Sequence, residues 1–471
     1  MSFPRYPEYK SSSTDFIGEV PVHWKLHRLK HCAEVFPSNV DKKSVDGQIP
    51  VQLCNYTDVY YNDTIEDGLD FMSATATEDQ ARRFELQQND VVFTKDSESS
   101  DDIGIAAFVP QQVPGVIYGY HLSIARANGS SAIGPFLKKY FDSQETKSYF
   151  DVSANGLTRV GLGQYAVDNA PIVLPSINEQ AQIARFLDHE TAKIDALIRE
   201  QERLIELLQE KRQAVISHAV TKGLDPDVPM KDSGVEWLGE VPEHWEVVKF
   251  GLTHNRADLG GNYSSGEGLG GRPLIKMGNI SRGKINLNKV ERLSLEENYD
   301  VEHLLNYGDF LFNTRNSLDL VGKVCVWRNE LSAAAYNSNI LKIDFVSKLV
   351  ESSFYMNHLF NSNLLIGLLR TYAKGTTSVA AIYYKDLQAI PIPLPPKEEQ
   401  VEIVYFVDAQ AVVIDDLIAE ALDLITLMKE RRSVLISAAV TGKIDVRDWQ
   451  PPTDEMAFNE EVRQAGVETT A

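Results

Sequence analysis

The sequence predicts an α+β protein organised as an internal repeat, with two β-rich domains at opposite ends of a two-helix antiparallel coiled coil and a pseudo-two-fold relation between the copies. Three observations predict it. The segment Ile17-Gly18-Glu19-Val20-Pro21-Val22-His23-Trp24 returns as Leu238-Gly239-Glu240-Val241-Pro242-Glu243-His244-Trp245. Pro171-Ile172-Val173-Leu174-Pro175 with Glu179-Gln180 returns as Pro391-Ile392-Pro393-Leu394-Pro395 with Glu399-Gln400, and about 25 of the 55 positions from 171 to 225 are identical to their counterparts. Between these markers each copy holds about 145 residues that match poorly, so a repeated frame encloses two divergent domains.

The helices follow from spacing. From Ile177 to Thr221 there is no Gly or Pro, and apolar residues recur at Ile183, Phe186, Leu187, Ile194, Leu197, Ile198, Leu204, Ile205, Leu208, Val215 and Ile216. Ser176 can cap the start, with Glu179 completing a capping box, and Lys222-Gly223 supplies the stop. The second copy runs from about Lys397 to Thr441 and halts at Gly442. Forty-five residues make a rod of roughly 67 Å. Such helices bury their stripes against each other, here through Ile194, Leu197, Leu204 and Leu208, and chain order makes the pair antiparallel.

The divergent domains read as mixed and β-rich, with strand candidates at Asp90–Thr94, Ile103–Val109, His121–Arg126, Leu274–Met277, Phe310–Asn313, Val321–Trp327 and Asn339–Ile343. A weak correspondence links them. Asn89-Asp90-Val91-Val92-Phe93 parallels Gly308-Asp309-Phe310-Leu311-Phe312, and Gly156-Leu157-Thr158-Arg159-Val160 parallels Gly375-Thr376-Thr377-Ser378-Val379. The expected organisation is residues 1–170 for the N-terminal segment and first divergent domain, 171–225 for a central helical region, 226–390 for the second divergent domain, 391–447 for a distal helical region, and 448–471 for a loosely ordered acidic tail.

Composition narrows the function. The 46 Lys and Arg against 67 Asp and Glu give a net charge of −21, which argues against a free-standing nucleic-acid binder. The charge is patchy, however, with −7 over residues 25–170 but +2 over residues 246–390. No run approaches the ~20 apolar residues of a membrane span and no signal peptide opens the chain, so a cytoplasmic protein is expected. Cys32, Cys54 and Cys325 are too scattered for a zinc site or a disulfide framework and read as buried small hydrophobes.

Chemistry is scarce. No P-loop, HExxH, GxSxG or cysteine-nucleophile motif is present, so neither a catalytic nor a metal-binding residue is assigned. Gly266, Gly268 and Gly271 satisfy GxGxxG but precede Arg272-Pro273, which cannot open a dinucleotide-binding helix; a surface loop is the better reading. His121 reads as a structural strand residue, and Trp24 and Trp245 as buried anchors. What the divergent domains do offer is loops mixing cations, amides, hydroxyls and aromatics, the groups that contact base edges and phosphates. In the first domain these are Lys95, Ser97, Ser99, Ser100, Tyr118, Tyr120, Asn155, Thr158 and Arg159. In the second they are Lys276, Asn279, Arg282, Asn313, Arg315, Asn316, Lys374, Thr376, Thr377, Tyr383 and Tyr384.

Two divergent domains, each opened by Gly-Glu-Val-Pro-x-His-Trp and closed by Pro-Ile-x-Leu-Pro, Glu-Gln and a long helix ending in Ala-Val-Thr, resemble the DNA specificity subunit of type I restriction-modification systems. The resemblance covers nearly the whole chain. It implies a non-catalytic subunit whose two target recognition domains read the halves of a split, asymmetric sequence in double-stranded DNA. It further implies helices that hold two methyltransferase subunits, with restriction subunits supplying motor and nuclease. No cofactor is expected in this chain; S-adenosylmethionine, ATP and Mg are expected on the partners. A rival reading without the resemblance is a two-armed, non-enzymatic protein-binding scaffold, and another is an enzyme with an unrecognised site.

If the helix pair spaces the two domains along DNA, inserting four residues into each helix at matched positions adds ~6 Å of rod and shifts the preferred spacer by roughly one to two base pairs. Mapping methylated sites checks this; a fixed spacer, or altered half-site bases, contradicts a ruler.

Overall fold

The computed structural model describes residues 3–375 and 379–451, so Thr376, Thr377 and the acidic tail from 452 on lie outside the described residues. The chain divides into two compact units, one made of residues 1–201 with 423–471 and the other of residues 202–422. The long helices are Ile177–Lys222 and Lys397–Val440, and each gives one half to each unit. Their ends are set by Gly223 at φ 78° and Gly442 at φ 75°, left-handed positions that end a helix at little cost only in glycine.

In the first unit the core sheet is four-stranded and antiparallel, in the order Ala33–Pro37, Leu122–Ala127, Asp90–Thr94, Ala106–Phe108. Beside it Ile49–Cys54 pairs in parallel with Val116–Tyr118 and antiparallel with Met72–Ala76. The second unit repeats the plan with His254–Leu259, Ile340–Phe345, Phe310–Asn313 and Val324–Val326, and with Pro273–Ile275 parallel to Ala335–Tyr336. All seven strand candidates overlap strands, though Ala106–Phe108, Pro273–Ile275 and Val324–Val326 fill only part of theirs, Met277 opens a short 3-10 helix, and His121 lies in the turn before the strand that begins at Leu122. The Gly266–Gly271 run leads into the strand Pro273–Ile275 and opens no helix.

The repeated motifs are the clasp of each unit. Trp24 and Trp245 are fully buried, and the strand after each pairs with the Pro-Ile-x-Leu strand, Lys25–Arg28 with Pro171–Leu174 and Glu246–Lys249 with Pro391–Leu394. The indole N–H of Trp24 donates to Glu179 at 3.1 Å and that of Trp245 to Glu399 at 3.0 Å. His23 and His244 reach the same carboxylates at 3.1 and 2.9 Å. Ser176 does cap the first long helix, at 3.4 Å from the Glu179 N–H. The expected capping box is not completed, however, because the Glu179 side chain is spent on Trp24, His23 and Tyr6.

The neighbouring glutamines are equally committed. Gln180 accepts from the Ile133 N–H and donates to the carbonyls of Ser131 and Pro175; Gln400 accepts from Glu351 and donates to Leu349 and Pro395. At the far ends, Ser437 accepts from the Gln144 N–H and Ser217 from the Asn363 N–H.

Within each unit the two helix segments run antiparallel. In the first, Ile183, Phe186 and Leu187 share a core with Ile436, Ala439 and Val440, and Asp195 pairs with Arg432 at 3.0 Å. In the second, Ile216, Ala219 and Val220 share one with Ile403 and Val407, and Arg212 meets Asp415 at 3.5 Å. Ile194 and Leu208 are buried as expected, but Leu197 is 50% and Leu204 42% exposed, so the inner stripe is narrower than spacing suggested. Two antiparallel helices cover only a strip of each other, and the flanking leucines fall outside it. Trp449, which falls in the segment expected to be loose, stacks edge-on against Phe186 at 5.3 Å.

Replacing Gln400 by Leu strands one N–H and two carbonyls in the second unit. It is expected to lower stability by at least ~1–3 kcal/mol in urea unfolding, with Gln180→Leu doing the same to the first unit.

Candidate nucleic-acid interface

In the first unit the site grows from the end of the central strand Asp90–Thr94. The Lys95 N–H donates to the His121 carbonyl at 3.0 Å, and the Lys95 carbonyl accepts from Leu162 at 2.8 Å. One residue thereby ties the turn at 119–121 to a small sheet of Asp96–Ser97, Val160–Leu162 and Ala154–Asn155. Asp96 holds this junction electrostatically: it accepts from His121 Nδ1 at 2.7 Å and pairs with Arg159 at 2.6 Å. The Tyr120 ring lies against His121, and the hairpin tip carries Asn155, Thr158 and Arg159 at the surface beside a fully exposed Leu157. Tyr56 stacks on Tyr60 at 5.5 Å, and its hydroxyl is 3.5 Å from Ser97. The Tyr60 hydroxyl donates to Asp102 at 2.9 Å, a bond that raises its pKa above the usual phenol range.

The second unit repeats the junction with other side chains. The Thr314 N–H and hydroxyl both donate to the Asn339 carbonyl, at 3.0 and 2.9 Å, and the Thr314 carbonyl accepts from Ile382 at 3.0 Å. Arg315–Asn316, Ala380–Ala381 and Lys374–Gly375 form the small sheet. The entry turn is equivalent too: Asp58 accepts from the Asn55 N–H at 2.6 Å, and Asn279 from the Lys276 N–H at 2.9 Å. Here Lys276 pairs with Glu291 at 2.5 Å, and Lys374 with Asp386 at 2.6 Å while lying over the Tyr383 ring. Tyr384 meets His254 Nε2 at 2.7 Å, and burial lowers the pKa of that imidazole. A cleft of about 510 Å³ opens between Asn262, Lys276, Lys289, Glu291, Asn337 and Asn339.

Each unit thus gathers several of its sequence candidates. Lys95, Tyr120, Asn155, Thr158 and Arg159 converge in the first, and Lys276, Arg315, Asn316, Lys374 and Tyr384 flank the equivalent junction in the second. Three face inward. Ser97 is buried; the Asn313 side chain is fully buried and accepts from the Arg315 N–H; and Asn279 spends its amide on the carbonyls of Asn286 and Lys289. Thr376 and Thr377 lie outside the described residues. Sequence reasoning missed Tyr56, Tyr60, Asp96, Asn262, Asn337 and Asn339, and took His121 as structural only. The pair Asn337 and Asn339 just before a strand was the available signal, because short amides there cap turns and leave edges free.

Among the described residues no cluster of His, Cys, Asp or Glu is arranged to hold a metal, and no helix is long and apolar enough to cross a membrane.

Comparison with known proteins gives a consistent picture. Residues 259–425 match the type I restriction modification DNA specificity domain. The chain is 25% identical over 304 residues to the EcoKI type I restriction enzyme specificity subunit of Escherichia coli K12, covering 63% of this chain and 62% of that subunit, which is under two thirds of its length. Against the MjaVIII type I specificity subunit of Methanocaldococcus jannaschii it is 22% identical over 450 residues, covering 91% and 95%. A solved chain from work on complex assembly and conformational transition of the type I R-M system has the same fold, with a TM-score of 0.66 at 18% identity over 89% of this chain and 98% of that one. With the doubled frame and its clasp in both units, these matches make the chain similar to type I restriction-modification DNA specificity subunits.

Proposed function

We propose that this chain is the non-catalytic, DNA-reading subunit of a cytoplasmic type I restriction-modification complex, each of its β-rich domains reading one half of a split, asymmetric target in double-stranded DNA. The observation that carries the reading is the twice-built junction: one backbone plan presents Lys95, Tyr120, Thr158 and Arg159 in one unit and Lys276, Arg315, Asn316 and Lys374 in the other. A common scaffold with different polar side chains is what two readers of different sequences require. The long helices hold methyltransferase subunits, which bring S-adenosylmethionine, and restriction subunits bring ATP and Mg. Support for repeated docking comes from leucines exposed at equivalent positions of both helices: Leu197 and Leu417, Leu204 and Leu424, Leu207 and Leu427.

Arg315→Ala and Lys374→Ala are expected to leave assembly with methyltransferase intact and weaken target binding, by ~1–3 kcal/mol where the side chain reads a base and alike for all sequences where it meets a phosphate. Asp96→Ala, which frees His121 and Arg159, should change methylation at the first half-site only. Unchanged binding isotherms and an unchanged methylome would remove these residues from the interface. Native mass measurement should show two methyltransferase copies per chain; a 1:1 complex at saturation contradicts docking on repeated helix faces. Salt-insensitive capture of a protein, without DNA, would instead favour the scaffold.

A further inference from the structure

The second unit contains three cations that its own carboxylates leave alone. Arg282 is partly buried; its Nη1 has no hydrogen-bond partner, and Nη2 reaches only the Asp319 carbonyl at 3.4 Å. The next residue, Gly283, donates its N–H to the Val324 carbonyl at 2.8 Å, which brings Lys323 alongside. Gly322, on the other side of Lys323, packs against Leu369, which brings in Arg370. Among the described residues none of the three has a carboxylate partner. Burial and the Arg370 charge pull the Arg282 guanidinium below its ordinary pKa, and burial and Arg282 do the same to the Lys323 ammonium. Scarcity of acids is not the reason in a chain with 67 of them, and Lys276 and Lys374 nearby are both paired.

Like charges held together, two of them partly desolvated, are costly unless a counter-charge arrives. The first unit shows that the fold does not need them. There Gly104 packs on Phe150 as Gly322 does on Leu369, and the Thr94 N–H donates to the Ile105 carbonyl as that of Asn313 does to Lys323. Ile105 therefore stands where the second unit has Lys323. Asp151 stands where it has Arg370, at the eighth position of the equivalent helices Gln144–Ser153 and Asn363–Tyr372. The cluster also borders the junction, since the loop holding Asp319 and Lys323 follows directly on Arg315–Asn316.

We infer that Arg282, Lys323 and Arg370 form an oxyanion site that clamps a DNA backbone phosphate beside the second recognition surface, an anchor the first unit lacks. The inference rests on the DNA-reading function proposed above. A guanidinium fork with two further cations suits a phosphodiester, a contact that positions the duplex and reads no sequence.

The test uses the chain assembled with methyltransferase and duplexes with and without the target. In Lys323→Gln/Arg370→Gln, the slope of log affinity against log salt should become shallower by about one to two, at ~0.9 per phosphate released, with target and non-target DNA weakened by the same factor. Arg282→Met should also weaken DNA binding while raising the thermal midpoint of the chain alone, since it removes an uncompensated charge; a lower midpoint with unchanged binding makes Arg282 structural and overturns the site. An unchanged salt slope in the double variant overturns the clamp. So does loss of methyltransferase capture, which would assign the cations to an acidic protein face. Protection of the wild type, but not the variant, by inorganic phosphate without any change in DNA affinity would assign the site to free phosphate and equally overturn it. If the wild-type complex itself shows no salt-dependent DNA binding, the DNA-reading function fails and the clamp with it.

Discussion

Everything in each unit hangs on one carboxylate, buried in the first and partly buried in the second. Glu179 and Glu399 stand in the first turns of the long helices, where exposed N–H groups favour negative charge, and each accepts from the indole of a fully buried tryptophan and the imidazole beside it. A carboxylate taken out of water needs such donors. By demanding them, it fixes the chain's entry into a domain against its exit, and the adjoining strand pairs zip the same two segments together. The divergent residues between are then free to vary, because closure of the domain does not depend on them.

The consequence is a scaffold that tolerates opposite charges at one position. Asp96 opens the short strand after the central strand of the first unit, and Arg315 opens the equivalent strand of the second. In the first case the carboxylate organises His121 and Arg159 around itself; in the second the cation stands at the surface. The acidity of the chain and the DNA-reading role proposed for it are reconciled at this level. Net charge sums over the whole molecule, whereas contact with DNA depends on the few square nanometres of each junction and its flank.

The frame was legible from sequence because its requirements are local and doubled. Helices without Gly or Pro, short apolar strands and the buried tryptophans all follow from short patterns. The junction was only partly legible. Asn279 and Asn313 have the right chemistry for base edges, yet one spends its amide on loop carbonyls and the other is fully buried and accepts from the Arg315 N–H. An asparagine in a turn competes for its own backbone, and composition does not reveal which partner wins. Leu197 and Leu204 failed in the same way: they lie on the apolar face, but how much of that face is covered depends on the partner helix.

The sequence by itself determined the duplication, the two long helices, the buried anchors and the family resemblance, since each is written in residues close together in the chain. Only the tertiary structure decided that Glu179 serves Trp24 and not its own helix cap, that Asp96 joins His121 to Arg159, and that Arg282, Lys323 and Arg370 meet without an acid. The physical reason is common to all three. A polar side chain takes its role from the partner it finds in space, and these partners lie 25 to 155 residues away along the chain or are missing altogether.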